Sequence, residues 1–457
     1  MKAAALSAAG ASVLIGAAMI PYGPGMTPDS VHYLSAAENL RSGLGYATSV
    51  VPWDGPFPRP LAEWPPLYPA VLAAATALGG ATAGPWALNS LLMAASTWHV
   101  ARAAPLLGVL AFMVSPAVVS VHGYAWSEPL FLLLAILSLG SQERLLEEPG
   151  SKTLLIAAAV TALACLTRYL GVALVISGAL TLIASRRRLL ALAYAALSAI
   201  PLGLWLLRNR SVTGDLAGSR TASGRGFPEL IGEAAATLGG WIVPVTSLRI
   251  VALLALLALG VVVGRRADRA DRPWIAFAAV YLTMVFILAR AVAFDPLTTR
   301  LLVPIVPSMV ILAARRFDRG RPVLAGALAL LLVAGPALVT VRDLAYVAKV
   351  TQGRGYRAAR WRETEAVRMA TLRQGPFARE GIIYSDAPDV LSLYSGRPVR
   401  YLPEEGADLA RLREGSIVLV GLNPTLPDMI DPTGSPLFRV ERMLGRGALL
   451  LPAGDLR

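Results

Sequence analysis

Apolar residues in this chain come in long blocks, each roughly 15–20 residues and close to the length needed to cross a bilayer. Short, arginine-bearing stretches separate them. The blocks fall at 3–20, 85–100, 105–121, 129–140 with its flanks, 153–184, 189–207, 250–263, 273–289, 301–313 and 323–341. The 153–184 block is interrupted by Thr167-Arg168-Tyr169, which predicts two short helices. The spacing predicts an all-α polytopic membrane protein of about eleven transmembrane helices. A cleavable leader is a competing reading of 3–20. No small-residue cleavage pattern stands near Tyr22 and further blocks follow, so 3–20 is read as a retained helix.

Two stretches have a different pattern. In 29–41 the apolar positions Val31, Leu34, Ala37 and Leu40 recur at helical spacing, with Pro28 and Asp29 suited to the start and Gly43 and Gly45 to the stop. This helix is too short and polar to span, and is expected to lie in the interface. A second amphipathic stretch is expected at 227–238. The 66–78 run is apolar but short, behind Pro65, Pro66 and Pro69. If it stays on the outer surface, the loops at Arg102, 186–188, 265–272 and 315–321 all fall on one side. The tendency of arginine-rich loops to remain cytoplasmic then puts the N-terminus inside and the C-terminus outside.

Beyond 341 the pattern changes. Charge, proline and glycine rise, and strand-like runs occur at 381–384, 416–420 and 448–451, after a helix candidate at 356–373. The expected organisation is a transmembrane catalytic domain over 1–341, with its first outer loop at 22–65. A small α/β extracytoplasmic domain follows over 342–457.

Composition agrees. The 457 residues are 55% hydrophobic and 16% charged, against about 25% charged in soluble domains. The net charge of +13 lies largely in loops between apolar blocks, which encodes topology and argues against nucleic acid. The lone Cys165 excludes an intrachain disulfide and a cysteine-rich metal site.

On the expected topology, polar groups collect on the outer side: Asp29 and Glu63 in the first loop, Glu128 at a helix end, Arg168 in the interrupted block, then Arg208, Arg210 and Arg300. Outer arginines run against the topological trend and need a reason. Transfer of a sugar from a lipid-linked phosphate supplies one. Arginine forks bind the anionic leaving group and stabilise its growing charge. A carboxylate in a partly dry cleft serves as general base for the acceptor. Each residue also has a plainer reading. Asp29 suits a helix cap, Glu63 a solvated charge and Glu128 a helix-dipole partner. Arg168 suits an ion pair, Arg208 and Arg300 suit interfacial anchors, and His32 suits packing.

At these residues the chain resembles the GT-C superfamily of membrane glycosyltransferases. It is most similar to the family-39-like branch that includes protein O-mannosyltransferases and the lipid A aminoarabinose transferase. The matching pattern runs through nearly the whole chain: Asp29, Tyr33, Asn39, Gly43 and Gly45; Pro-Pro-Leu-Tyr-Pro at 65–69; Ser-Glu-Pro-Leu-Phe at 127–131; Thr-Arg-Tyr at 167–169; Trp-Leu-Leu-Arg-Asn at 205–209; Arg-Leu-Leu-Val-Pro at 300–304; and the tail segment 384–398. The resemblance implies an inverting transfer from a polyprenyl-phosphate sugar at the outer face of the bacterial cytoplasmic membrane. Asp29 is the implied base, with Glu128 at the position of a second catalytic acid. Arg168, with Arg300 and Arg208, is implied to hold donor phosphate, and Glu63, His32, Tyr33 and Tyr68 to contact substrate. The implied partners are the polyprenyl-phosphate sugar, membrane lipid and a glycan, lipid or protein acceptor. Many relatives carry a second acid after the first; here Ser30 follows Asp29, and no metal ligand is assigned, although some members use a divalent metal. The alternative class is a transporter or flippase of lipid-linked sugars, for which repeated halves with broken helices are expected.

Overall fold

The computed structural model describes residues 2–265, 268–293, 295–317, 329–403, 412, 415–421, 438–445 and 447–452. They pack as two units. The first comprises Met1–Ile20, Ala62–Tyr68 and Pro85–Tyr346, and the second Pro21–Leu61, Pro69–Gly84 and Val347–Arg457. The second unit thus draws on chain from both sides of residue 341.

The first unit is helical. Among the described residues of the whole chain, six helices are long and apolar enough to cross a membrane, or seven if the bent pair Phe227–Ile242 and Thr246–Ala258 counts as one span. Shorter apolar helices accompany them, Ser151–Thr167 and Tyr169–Ala184, separated at Arg168 as the interruption predicts. The expected 105–121 span is instead two helices, Leu106–Val114 and Pro116–His122. Pro116 has no N–H to donate and forces Ser115 out of helical geometry (ψ 120°). The expected 301–313 span begins as a single turn, Thr299–Leu302, and a 3-10 turn containing Pro304, before Val306–Phe317. Much of the 315–321 loop and the first part of the expected 323–341 span lie outside the described residues.

Aromatic side chains fill the first unit's interior, with Phe131, Tyr194, Trp274, Phe277 and Tyr281 all fully buried. A buried hydrogen-bonded knot joins three of its helices. Tyr194 Oη lies 2.9 Å from Thr161 Oγ1 and accepts from Gln142 Nε2 at 2.8 Å, and Thr161 meets Ser138 at 2.6 Å. Where lipid supplies no hydrogen-bond partners, polar side chains inside a bundle have to satisfy one another.

Among the described residues of the second unit, eight strands run in chain order: β1 Ala47–Thr48, β2 Val50–Val51, β3 Arg59–Pro60, β4 Ile383–Ser385, β5 Val399–Tyr401, β6 Ser416–Leu419, β7 Phe438–Leu444 and β8 Gly447–Pro452. β1 and β3 form a short antiparallel pair, and the rest make one sheet in the order β2-β5-β4-β6-β8-β7. β2, β5, β4 and β6 are parallel, and β8 and β7 are antiparallel additions. Val50 opposite Val399 is therefore a sheet contact between the first loop and the tail. Val367, Phe377, Leu391, Val399 and Val418 form the core beneath it.

The helix expected at 356–373 is two short helices, Ala359–Arg362 and Glu365–Thr371. Thr364 stands between them as an N-cap, accepting from Val367 N–H at 3.3 Å, a competing bond that hydroxyl side chains offer the backbone. The apolar stretch from Leu67 to Ala103 is broken at Gly80, whose φ of +68° lies in the left-handed region.

Candidate functional site

Each unit carries a polar cluster, and the residues singled out from sequence divide between them. Glu63, Tyr68, Glu128, Arg168, Arg208 and Arg300 belong to the first unit. Asp29, His32 and Tyr33 belong to the second.

In the first unit, Glu128 begins the Glu128–Glu147 helix, and Pro129 suits that position because the first helical N–H groups have no partner to lose. The preceding turn is held by Asn89, whose Nδ2 donates to the carbonyls of His122 (2.8 Å) and Tyr124 (2.6 Å). Arg168 is the extended residue (φ −148°, ψ 137°) that ends the Ser151–Thr167 helix. The reversal after it is tight: a Cβ on Gly171 would stand 2.7 Å from Cys165 Cα, so glycine is required there. Arg300 sits on the Thr299–Leu302 turn, fixed by Trp241 Nε1 to Thr299 Oγ1 (3.0 Å) and Tyr281 Oη to the Leu301 carbonyl (2.9 Å). The approach to that turn is tied to the Phe227–Ile242 helix, where Glu233 accepts from Leu297 N–H (2.7 Å) and pairs with Arg225 (3.1 Å).

These three supports converge. Glu128, with no exposed side-chain surface, places Oε1 2.5 Å from Arg168 Nη1 and 2.6 Å from Arg300 Nε. Arg168 also donates to Ser127 Oγ at 3.1 Å, and Arg300 lies 4.6 Å from the centre of the Trp126 ring. Both arginine side chains keep a small exposed fraction, 14% and 16%. One carboxylate between two arginines leaves the cluster one positive charge in excess, on groups shaped for phosphate.

Around it, Tyr169 Oη donates to the Ala62 carbonyl (2.6 Å) and accepts from Asn209 Nδ2 (3.1 Å). The Glu63 carboxylate accepts from Ala62 N–H at 3.1 Å. Arg208 stacks on Trp205 at 4.9 Å and donates to Asn209. Tyr68 is fully buried. In this unit the structure joins Glu128, Arg168 and Arg300. It also places the Glu63 carboxylate on the Ala62 N–H and Arg208 against Trp205.

In the second unit, Asp29 lies in the first turn of Pro28–Arg41. The helix cap is Thr27, whose N–H donates to Ser30 Oγ at 3.1 Å, so the plainer reading of Asp29 as the cap does not hold. One turn on, His32 is buried, with Nδ1 2.9 Å from Thr48 Oγ1 and Nε2 3.8 Å from Asp389 Oδ1. Asp389 is itself buried and accepts from Tyr401 Oη at 2.8 Å. Burial holds the Asp389 carboxyl above the usual carboxylate range, against the opposing pull of His32, and the nearby Asp29 charge adds to the rise. Tyr356 is likewise raised by burial and by the charges of Asp389 and Asp29. Tyr33 is packed inside. Asn39 ties the loop to the helix through Ala47 O (2.8 Å) and Ser49 (3.3 Å).

Asp389, Tyr356 and Tyr401 were not singled out from sequence. Two signals existed: Asp389 falls in the 384–398 segment that carries the resemblance, and Pro388-Asp389 opens its helix as Pro28-Asp29 opens the other. Among the described residues no group of three or more His, Cys, Asp or Glu is placed to hold a metal ion.

The architecture matches solved structures over almost its whole length. ArnT from Cupriavidus metallidurans, in the apo state and bound to undecaprenyl phosphate, superposes with a TM-score of 0.65 over 97% of both chains at 14% identity. The archaeal oligosaccharyltransferase AglB from Archaeoglobus fulgidus, in complex with an inhibitory peptide and a dolichol-phosphate, matches with a TM-score of 0.55 at 11% identity. That match covers 90% of this chain and 69% of AglB. No protein-family profile matches the sequence, and no curated protein does. The chain thus shares the fold of ArnT, a helical architecture with a small sheet-bearing C-terminal region, at identities where only architecture is shared.

Proposed function

We propose that this protein is a membrane glycosyltransferase that takes a sugar from a polyprenyl-phosphate donor. The observation that carries the reading is the buried Glu128 holding Arg168 and Arg300 at 2.5 and 2.6 Å, in a fold shared with an ArnT bound to undecaprenyl phosphate. Arg168 and Arg300 bind the phosphate and stabilise the charge left on it. Glu128 positions them: with its Oε1 engaged by both, it is a fixed counter-ion, and protonating it would break two ion pairs at once. Asp29 is the base. The acceptor's O–H or N–H proton passes to its carboxylate as the new bond to the anomeric carbon forms. The bond from that carbon to the phosphate oxygen breaks on the opposite face, its electron pair leaving on the phosphate, and configuration inverts. Arg208, Glu63, His32, Tyr33 and Tyr68 take supporting roles in binding. The catalytic face and the 342–457 domain are extracytoplasmic, and the N-terminus is cytoplasmic.

Purified protein and its variants, analysed by mass spectrometry for co-purifying lipid and assayed for transfer from it, test this. A polyprenyl-phosphate sugar is expected on the wild type. Asp29→Asn should retain that lipid and lose transfer by at least about a hundredfold. Arg168→Ala should lose the lipid. Glu128→Gln should weaken lipid retention, because it removes the charge that orders both arginines. Full transfer by Asp29→Asn would remove it from the mechanism, and lipid movement across vesicles without transfer would favour a flippase.

A further inference from the structure

The Glu128–Glu147 helix carries another polar cluster at its far end. Glu143 lies about 22 Å along the axis from Glu128, at 1.5 Å per residue. A cavity of about 350 Å³ opens there within the first unit, lined by His99, Arg102, Glu143, Arg144, Trp274 and Arg315 among others. That is the size of a small-molecule pocket.

Its floor is built from satisfied groups. Trp274 is fully buried and donates from Nε1 to Glu143 Oε2 at 3.1 Å. Arg315 Nη2 reaches the same oxygen at 3.1 Å, its Nη1 reaches Asp271 at 3.3 Å, and its Nε reaches the Ala103 carbonyl at 2.8 Å. Glu143 is therefore neutralised by a guanidinium already engaged at all three of its nitrogens. The mouth is different. Arg102 and Arg144 are exposed, and among the described residues neither forms an ion pair. Glu147 is the remaining carboxylate of the lining. Outside the Arg315–Asp271–Arg316 network that neutralises Glu143, the lining sets Arg102 and Arg144 against Glu147, an excess of one positive charge carried on two exposed planar forks.

We propose that this cavity binds a phosphate ester, with Arg102 and Arg144 gripping the phosphate. The proposal is independent of the reading of Asp29 and of the Glu128 trio. Solvated topology-setting arginines would have the same charge but no ligand preference, and that difference is measurable. The phosphate comes either from a glycerophospholipid headgroup or from a soluble phosphate compound.

Native mass spectrometry of the full chain, titrated with phosphatidylglycerol or phosphatidylcholine, reads retained lipid directly. The wild type should retain phosphatidylglycerol in preference. The double variant Arg102→Gln/Arg144→Gln should retain at least about tenfold less, a loss of about 1.4 kcal/mol or more. Arg186→Gln/Arg188→Gln, which removes two exposed arginines outside the cavity, should behave as wild type. Displacement of the lipid by millimolar inorganic phosphate would assign the cavity to phosphate in general, and resistance to it would assign a lipid headgroup. Retention of phosphatidylglycerol that is the same in the wild type and in Arg102→Gln/Arg144→Gln, with no inorganic phosphate retained by the wild type in the same spectra, would overturn the proposal. An equal loss in the two double variants would overturn it too.

Discussion

A carboxyl group in this protein takes its chemistry from what surrounds it, and two acids show the range. Glu128 is buried and answered by two arginines. Asp389 is buried and answered by His32 at 3.8 Å and the Tyr401 hydroxyl at 2.8 Å. Desolvation dominates at Asp389 and raises its carboxyl above the usual value of about 3.9. A raised acid binds its proton more tightly in the folded state. Its favourable contribution is complete below about pH 3.9 and is lost as pH climbs through the folded value. Asp389→Asn has no charge to desolvate and keeps an oxygen for Tyr401. Its melting temperature relative to wild type should therefore rise from acid to neutral pH. A fall instead would mean that the His32 pairing outweighs burial.

Among elements, the junction between the start of the Pro28–Arg41 helix and residues 354–358 has little room for change. Tyr356 N–H donates to the Met26 carbonyl at 2.8 Å, directly before the helix that carries Asp29. Gly355 makes this approach possible: its φ is +57°, and a Cβ there would lie 2.0 Å from Met26 O. Gly355→Ala should cost about 2 kcal/mol or more, from the left-handed backbone and the displaced contact together. Thermal unfolding would read it, and an unchanged midpoint would show that the junction is slack. The 356–373 stretch teaches the converse. Its helical propensity is interrupted by one threonine hydroxyl that caps the next helix, a local bond that periodicity cannot display.

At the scale of the whole molecule, the arginine distribution argues for a particular orientation, and the cysteine content makes that testable. Cys165 is buried, so a single new exposed cysteine reports its own side. Glu380→Cys should react with a membrane-impermeant maleimide added outside intact cells, and Lys152→Cys only after lysis. The reverse pattern would invert the proposed topology.

Much of this was legible in the chain. Long apolar blocks, their arginine-bearing connections, the break at Arg168 and the short helix after the first block each follow from local pattern, because a bilayer and a helix impose periods of their own; that this helix buries Ser30, His32, Tyr33 and Asn39 while Leu34 and Leu40 are only half-buried does not. The strand runs at 381–384, 416–420 and 448–451 were readable for the same reason. The two-residue strand Val50–Val51 was not, since nothing local marks a strand that short. Its partner is Val399–Tyr401, nearly 350 residues away in sequence. Nor does spacing show that Glu128, Arg168 and Arg300 share one carboxylate oxygen. That depends on a turn after Cys165 tight enough to require glycine and on a Thr299–Leu302 turn hung from Trp241 and Tyr281. Periodicity marked most of the apolar helices and the residues that were candidates, though not where the 105–121 and 301–313 stretches break. Only tertiary packing decided which charges meet, because an ion pair between distant residues is a property of the bodies that carry them.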